Sequence, residues 1–367
     1  MRTPPFRADH VGSLLRPPAL MAARAKFEQG SIGATQLRSA EDAAIHDAIE
    51  KQESIGLTSI TDGEMRRAYW HLDFVRQIEG VVLTENPGTK FGALEDNGQQ
   101  PPIASVEGKL RYARPIMVDD FAFVKARARH TAKMTIPSPT ILHLRGGRNA
   151  ISKSAYPDLE EFWADAVTAY RQIIKSFADA GCVYLQLDDV GFSYLCDGDF
   201  RATSIAHGDD PASLPQRYVD TINETVKGRP AGIVVTMHTC RGNFRSSWVA
   251  SGGYESVAET MFRTDVDAFF MEFDDERSGG FEPLRYLPKG KKVVLGLVTT
   301  KSGHIESRDE LKRRIDQAAR FTALENLCLS PQCGFASTHH GNNLSIDEQW
   351  RKLELIVEVA QEVWGSS

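Results

Sequence analysis

Short β-branched runs alternate with longer amphipathic segments along the whole chain. Runs such as GIVVTMHTC at 232–240 and KKVVLGLVTT at 291–300 are too short and too apolar for surface helices and read as buried strands. Further strands are predicted around residue 10 (RADHVGS), at 58–64, 131–137, 182–189 and 267–273, and at 326–334 (NLCLSPQCG), which makes eight. Helical spacing fills the gaps at SAEDAAIHDAIEKQESIG from 39, YPDLEEFWADAVTAYRQIIKSFADAG from 156, LPQRYVDTINETVKG from 214, YESVAETMFRT from 254 and SRDELKRRIDQAARFTALEN from 307. Ser307 with Glu310 forms a capping-box pattern for the last of these. Alternation of this kind predicts an α/β protein, and eight repeats favour one closed (β/α)8 TIM-type barrel over residues 1–367. Residues 78–125 break the repeat. Their alternating VEGKLRYARPIMV predicts a hairpin-like excursion inserted between strands 2 and 3.

Composition narrows the class. Of 367 residues 41% are hydrophobic and 25% charged, as in a soluble globular protein, and the net charge of −6 with no basic cluster gives no support to nucleic-acid binding. No apolar run approaches a membrane span, and the N-terminus lacks the apolar core of a signal peptide, so no membrane partner and a cytoplasmic location are expected. Five scattered cysteines are too few for a disulfide framework, so each is a buried residue, a metal ligand or a nucleophile.

A barrel carries its chemistry at the C-terminal ends of its strands. Those ends are polar here: Gly12-Ser13, Asp62-Gly63-Glu64, Asp188-Asp189, His238 and Cys240, Glu272, and Cys333. His238 and Cys240 are two residues apart on one strand and face a common space. With Glu272 and Cys333 they supply one nitrogen, two sulfurs and a carboxylate, a donor set that suits zinc. Two thiolates and a carboxylate outweigh the charge of Zn²⁺ by one, so the carboxylate could yield to an incoming thiol, which coordination would deprotonate. Zinc-activated alkylation of a thiol follows. The plain alternative, buried cysteines and an acidic strand end, holds for any one residue alone and for Cys182, Cys196 and Cys328.

The segments HVGSLLRP (10–17), DGEMRR (62–67), LQLDD (185–189), MHTC, MEF and SPQCGF resemble the catalytic barrel of the cobalamin-independent methionine synthases and their shorter single-barrel relatives. The resemblance implies a methyltransferase of methionine biosynthesis in which His238, Cys240, Glu272 and Cys333 hold zinc. It implies that Ser13 holds the carboxylate of homocysteine or a similar small thiol, and that Glu64 and Asp188 hold its ammonium group. The methyl donor is left open, with a folate or a corrinoid among the options, and so is a homodimer. Two departures stand out. SPTILHLRGGRN places Leu144 and Arg145 where the family has a pterin-stacking Trp, and Lys301, with His304 three residues on, stands where the family has a proton-transferring His. Lys301 and His304 are therefore the candidates for that role. Rival readings are a zinc thiol alkyltransferase acting on an epoxide or other electrophile, and a non-catalytic barrel with a structural zinc. Tyr69-Trp70 reads as pocket wall, lid or subunit contact.

Overall fold

In the computed structural model, residues 3–85 and 102–367 are described. Six parallel strands form one continuous sheet: β5 (Met134–Pro137), β6 (Tyr184–Asp188), β7 (Val234–Thr239), β8 (Ala268–Glu272), β9 (Lys292–Val298) and β10 (Leu327–Pro331), each paired with its sequence neighbour. The ring continues through β4 (Thr131–Ala132), which is parallel to β1 (Ser59–Ile60), and through a parallel bridge from Ala8 to Leu329. Asp9 N–H donates to the Leu329 carbonyl at 3.0 Å, and Leu329 N–H to the Arg7 carbonyl at 2.8 Å. The result is the expected eight-membered barrel.

Its first two strands are shorter than the sequence predicts, because side chains replace the backbone ladder there. The Gln52 amide brackets Thr61 by accepting from its N–H and donating to its carbonyl, both at 3.0 Å, and Thr61 Oγ1 donates to the Gly12 carbonyl at 2.7 Å. Between β4 and β5 the chain is interrupted at Lys133, which is fully buried and paired with Asp9 at 3.1 Å.

Residues 78–125 include the antiparallel hairpin of β2 (Glu79–Thr84) and β3 (Ile103–Arg111), followed by the helix Val118–Lys125. Part of that expected excursion, 86–101, lies outside the described residues. Helices cover the outside of the barrel. The helix Leu159–Asp179, within the segment of helical spacing from 156, starts at an Asp158 cap and buries Phe162, Trp163, Tyr170 and Phe177. The helix expected from 254 is instead a 3₁₀ turn (Tyr254–Ser256) and one short helix (Ala258–Met261). Three further helices carry no expectation above, Pro18–Glu28, Gly198–Ala206 and Ile346–Trp364, although Ser345 and Glu348 give the last a full capping box.

Candidate active site

Strand register decides which side chains meet at the C-terminal mouth. Asp188 pairs with His238 across β6 and β7, and His238 Nδ1 lies 3.3 Å from Asp188 Oδ1. Thr239 pairs with Met271, so the next residues, Cys240 and Glu272, come level. Cys333 follows β10 and swings toward the same point. The ligand atoms of His238, Cys240 and Cys333 all lie within 4.8 Å of one another, and all three residues are buried. Among the described residues this is the only buried group of three or more such donors.

The charges of this cluster are coupled. The two sulfurs are 3.6 Å apart and share a hydrogen bond. That bond, with the charges of His238 and Lys301, pulls Cys333 down to about 6 against the effect of burial. The same bond, together with burial, pushes Cys240 well above its usual value, so the pair holds one proton between two sulfurs. Burial alone would lower His238, but its hydrogen bond to Asp188 and the Cys333 charge raise it.

Glu272 faces the thiols and contributes to the shifts of both, yet it stands outside the tight triad. Its Oε2 accepts from Arg241 N–H at 2.6 Å and its Oε1 from Arg277 Nη2 at 3.0 Å. Burial works against its ionised form, but Lys301, Arg241 and Arg277 together hold its carboxyl below the usual range. As a donor set, one imidazole and two thiols with a carboxylate beside them fit a borderline-soft divalent ion.

Beside the cluster opens a cavity of about 610 Å³, its mouth included, with Ser13, Glu64, Asp188, His238, Cys240 and Cys333 in its wall. Glu64 reaches it through a strained turn. Gly63 and Glu64 both have positive φ, 63° and 56°, and Asp62 Oδ1 accepts from Glu64 N–H at 2.8 Å. Asp62 thus shapes the turn, just as Asp189 accepts from Gly191 N–H at 2.7 Å where the next short helix begins. Glu64 Oε1 accepts from Thr135 Oγ1 at 3.0 Å, while Oε2 is buried with no partner among the described residues. Burial, only partly offset by Arg67, raises Glu64 to about 7. Ser13 packs against the Cys333 loop so closely that a Cβ on Gly334 would meet its Oγ at 1.9 Å.

The proton-transfer candidates separate. Lys301 Nζ is buried near Glu272 and Cys333 and has no hydrogen-bond partner among the described residues. His304 is not part of the cavity wall: it is exposed, and its loop is pinned by Lys352, whose Nζ donates to the His304 carbonyl. Other wall residues carried weak sequence signals or none. Tyr69 and Trp70 do line the cavity, as one of their readings had it, together with His71, Arg145, Tyr194 and Asn243. His71 and Asn243 have no periodicity or spacing that marks them; the loops that carry them are set by tertiary contacts such as Trp70 N–H to the Ser337 carbonyl at 2.9 Å.

Residues 6–362 match the family described as the catalytic domain of cobalamin-independent synthase. The chain belongs to that family. Family membership makes it a methyltransferase. It is 46% identical over 367 residues to the uncharacterized protein YxjH of Bacillus subtilis, covering 99% of this chain and 96% of that protein. It is 26% identical over 337 residues to the methionine synthase of Pyrococcus abyssi, covering 91% and 87% respectively. Among solved structures it is similar to a putative vitamin-B12 independent methionine synthase from Listeria monocytogenes, with a TM-score of 0.80, 37% identity and full coverage of both chains. A B12-independent methionine synthase from Shewanella sp. W3-18-1, solved with selenomethionine, shares the fold at a TM-score of 0.74 and 17% identity over 98% of each chain. No helix among the described residues is long and apolar enough to cross a membrane.

Proposed function

We propose that this methyltransferase is zinc-dependent and acts on homocysteine or a closely similar amino-acid thiol. The observation that carries the reading is the convergence of His238, Cys240 and Cys333 within 4.8 Å on the wall of a cavity that also holds Glu64 and Asp188. His238, Cys240 and Cys333 would hold the zinc, with Glu272 as the fourth, displaceable donor. Bound zinc would supply the charge that keeps a substrate thiol deprotonated at neutral pH.

The remaining residues bind and orient. Glu64 presents an unpartnered oxygen toward the cavity, a natural acceptor for an ammonium group, and Asp188 stands near enough to raise the Glu64 pKa by its charge. An ammonium between the two would relieve that repulsion. Ser13, pressed against Gly334 beside Cys333, would meet the carboxylate of the same amino acid. Asp188 also fixes the imidazole of His238 through its Nδ1, which leaves Nε2 turned toward Gln332 and the cluster. Arg241 and Arg277 hold Glu272 in reserve. Glu64 and Asp188 favour an amino-acid thiol over one without an amine. Lys301 would serve as the proton source if the leaving group needs one.

The deciding experiment is zinc stoichiometry together with metal-edge X-ray absorption, with and without homocysteine. One zinc per chain whose shell gains a sulfur is the expected result. A metal-free active enzyme, or a zinc shell that homocysteine never changes, overturns the proposal.

A further inference from the structure

The wall of the cavity formed by Trp70, His71 and Arg145 has no task in holding an amino-acid thiol. His71 is 3% exposed, lines the cavity, and neither of its ring nitrogens has a hydrogen-bond partner among the described residues. A buried imidazole left in that state costs free energy unless something else occupies its bonding positions. Its ring lies 4.6 Å from that of Trp70. Burial, and next the Arg145 charge, hold it well below its usual range, so it is neutral and can offer one N–H.

Arg145 completes the wall. Its guanidinium is hydrogen-bonded to Tyr194, and that tyrosine also feels the charges of Cys240 and Cys333, so a fixed cation stands one side chain away from the thiols. The segment that carries Arg145 is braced from below. His143 is held by Asp209 at 3.2 Å and by the Tyr218 hydroxyl at 3.2 Å. A buried, braced cation beside an imidazole N–H is a site for an anion. The aromatic faces of Trp70 and Phe244, on the same cavity, attract a cation.

We propose that this wall is the methyl-donor subsite, and that the donor is a small methyl-onium acid whose methylsulfonium or methylammonium centre lies a few atoms from a carboxylate. The inference rests on the thiol S-methyltransferase reading above. The carboxylate meets Arg145 and the His71 N–H, and the onium lies against the aromatic faces with its methyl toward the thiolate. The substrate sulfur's electron pair forms the new S–CH₃ bond. The bond from that methyl to the onium centre breaks, and its electron pair stays on the donor. The donor leaves as a neutral thioether or tertiary amine bearing its carboxylate, and no proton has to move.

The test uses zinc-loaded full-length protein saturated with homocysteine, whose entry into the zinc shell is checked first by X-ray absorption. Titration calorimetry then compares dimethylsulfonioacetate with its methyl ester, using S-methylated product as the parallel readout. The acid is expected to bind saturably and the ester at least tenfold more weakly. Arg145→Gln should abolish that preference and His71→Asn should reduce it, with the homocysteine signature intact. Equal binding of acid and ester, or no binding of either, overturns the proposal on the unaltered protein, whether or not the variants fold. A loss of homocysteine affinity in Arg145→Gln without loss of acid affinity also overturns it, by assigning the wall to the thiol's own carboxylate. If homocysteine never enters the zinc shell, the earlier reading has failed before any donor is added.

Discussion

Asp9 and Glu64 are both carboxylates buried inside the same barrel, but their surroundings differ. Asp9 Oδ1 accepts from His10 N–H and Ser59 Oγ at 2.8 Å each and from Lys133 at 3.1 Å, and its Oδ2 accepts from Tyr184 at 2.7 Å and Phe6 N–H at 3.2 Å. Lys133 in turn packs over the rings of Tyr184 and Phe270. At the opposite end of the barrel Glu64 Oε2, both nitrogens of His71 and Lys301 Nζ have no partner among the described residues. A saturated network holds the barrel together and offers nothing to a ligand. An unsaturated one costs stability and is therefore a mark of the site.

The largest effect is expected where the saturated network is cut. Lys133→Met leaves the Asp9 carboxyl buried and without its cation, and should cost about 3–5 kcal/mol of unfolding free energy. Denaturant titration would measure it. A loss below about 1 kcal/mol would mean that the Asp9 network does not hold the barrel together.

A change in the thiol pair at the mouth should do the reverse. Cys240→Ser should lower activity by more than the roughly 10- to 100-fold typical of changes one layer outside a metal. It should also drop zinc below one per chain while leaving the denaturation midpoint of the metal-free protein near that of the wild type. Full activity in the variant would remove Cys240 from the site.

This contrast explains what could be read from the sequence. His238 and Cys240 were legible because a strand has a period of two, and the Asp188–His238 register then brought two further predictions together. Glu272 was legible as a strand end, but its engagement by Arg241 and Arg277 depends on a loop with no periodic signal. His71 and the role of Arg145 were not legible, since their burial comes from the packing of loops after β1 and β5 against the rest of the mouth. The second strand, expected at 58–64, misled for a similar reason. The backbone of Thr61 pairs with the side chain of Gln52, which lies on a helix. The Ile346–Trp364 helix, by contrast, carried an open signal in its capping box.

Titration of Glu64 gives a third and smaller effect. Its folded-state pKa of about 7 lies above its ordinary value of 4.5, mainly through burial. Between those values the folded chain holds a proton that the unfolded chain releases, so the contribution of Glu64 to stability is greatest below pH 4.5 and is lost as pH rises through 7. The decline should be of the order of 2 kcal/mol, after allowance for coupling to Arg67 and Asp188. Glu64→Gln should match the wild type near pH 5 and exceed it in melting temperature near pH 8, in zinc-free protein without thiol. Parallel pH profiles for the two proteins would show that Glu64 is ionised throughout.

Thr135→Val probes the boundary between the two networks. Thr135 sits two residues beyond Lys133 on the same strand path, so both side chains point inward, yet its hydroxyl serves Glu64 and not Asp9. Valine keeps the shape and removes one donor, which should change stability by no more than about 1 kcal/mol. Because the lost bond positions Glu64 rather than reacting atoms, KM for homocysteine should rise a few-fold while kcat holds. A fall in kcat at unchanged KM would place Glu64 in the chemical step and not in binding. A large loss of stability would instead show that the saturated network extends one layer further toward the mouth than its hydrogen bonds indicate.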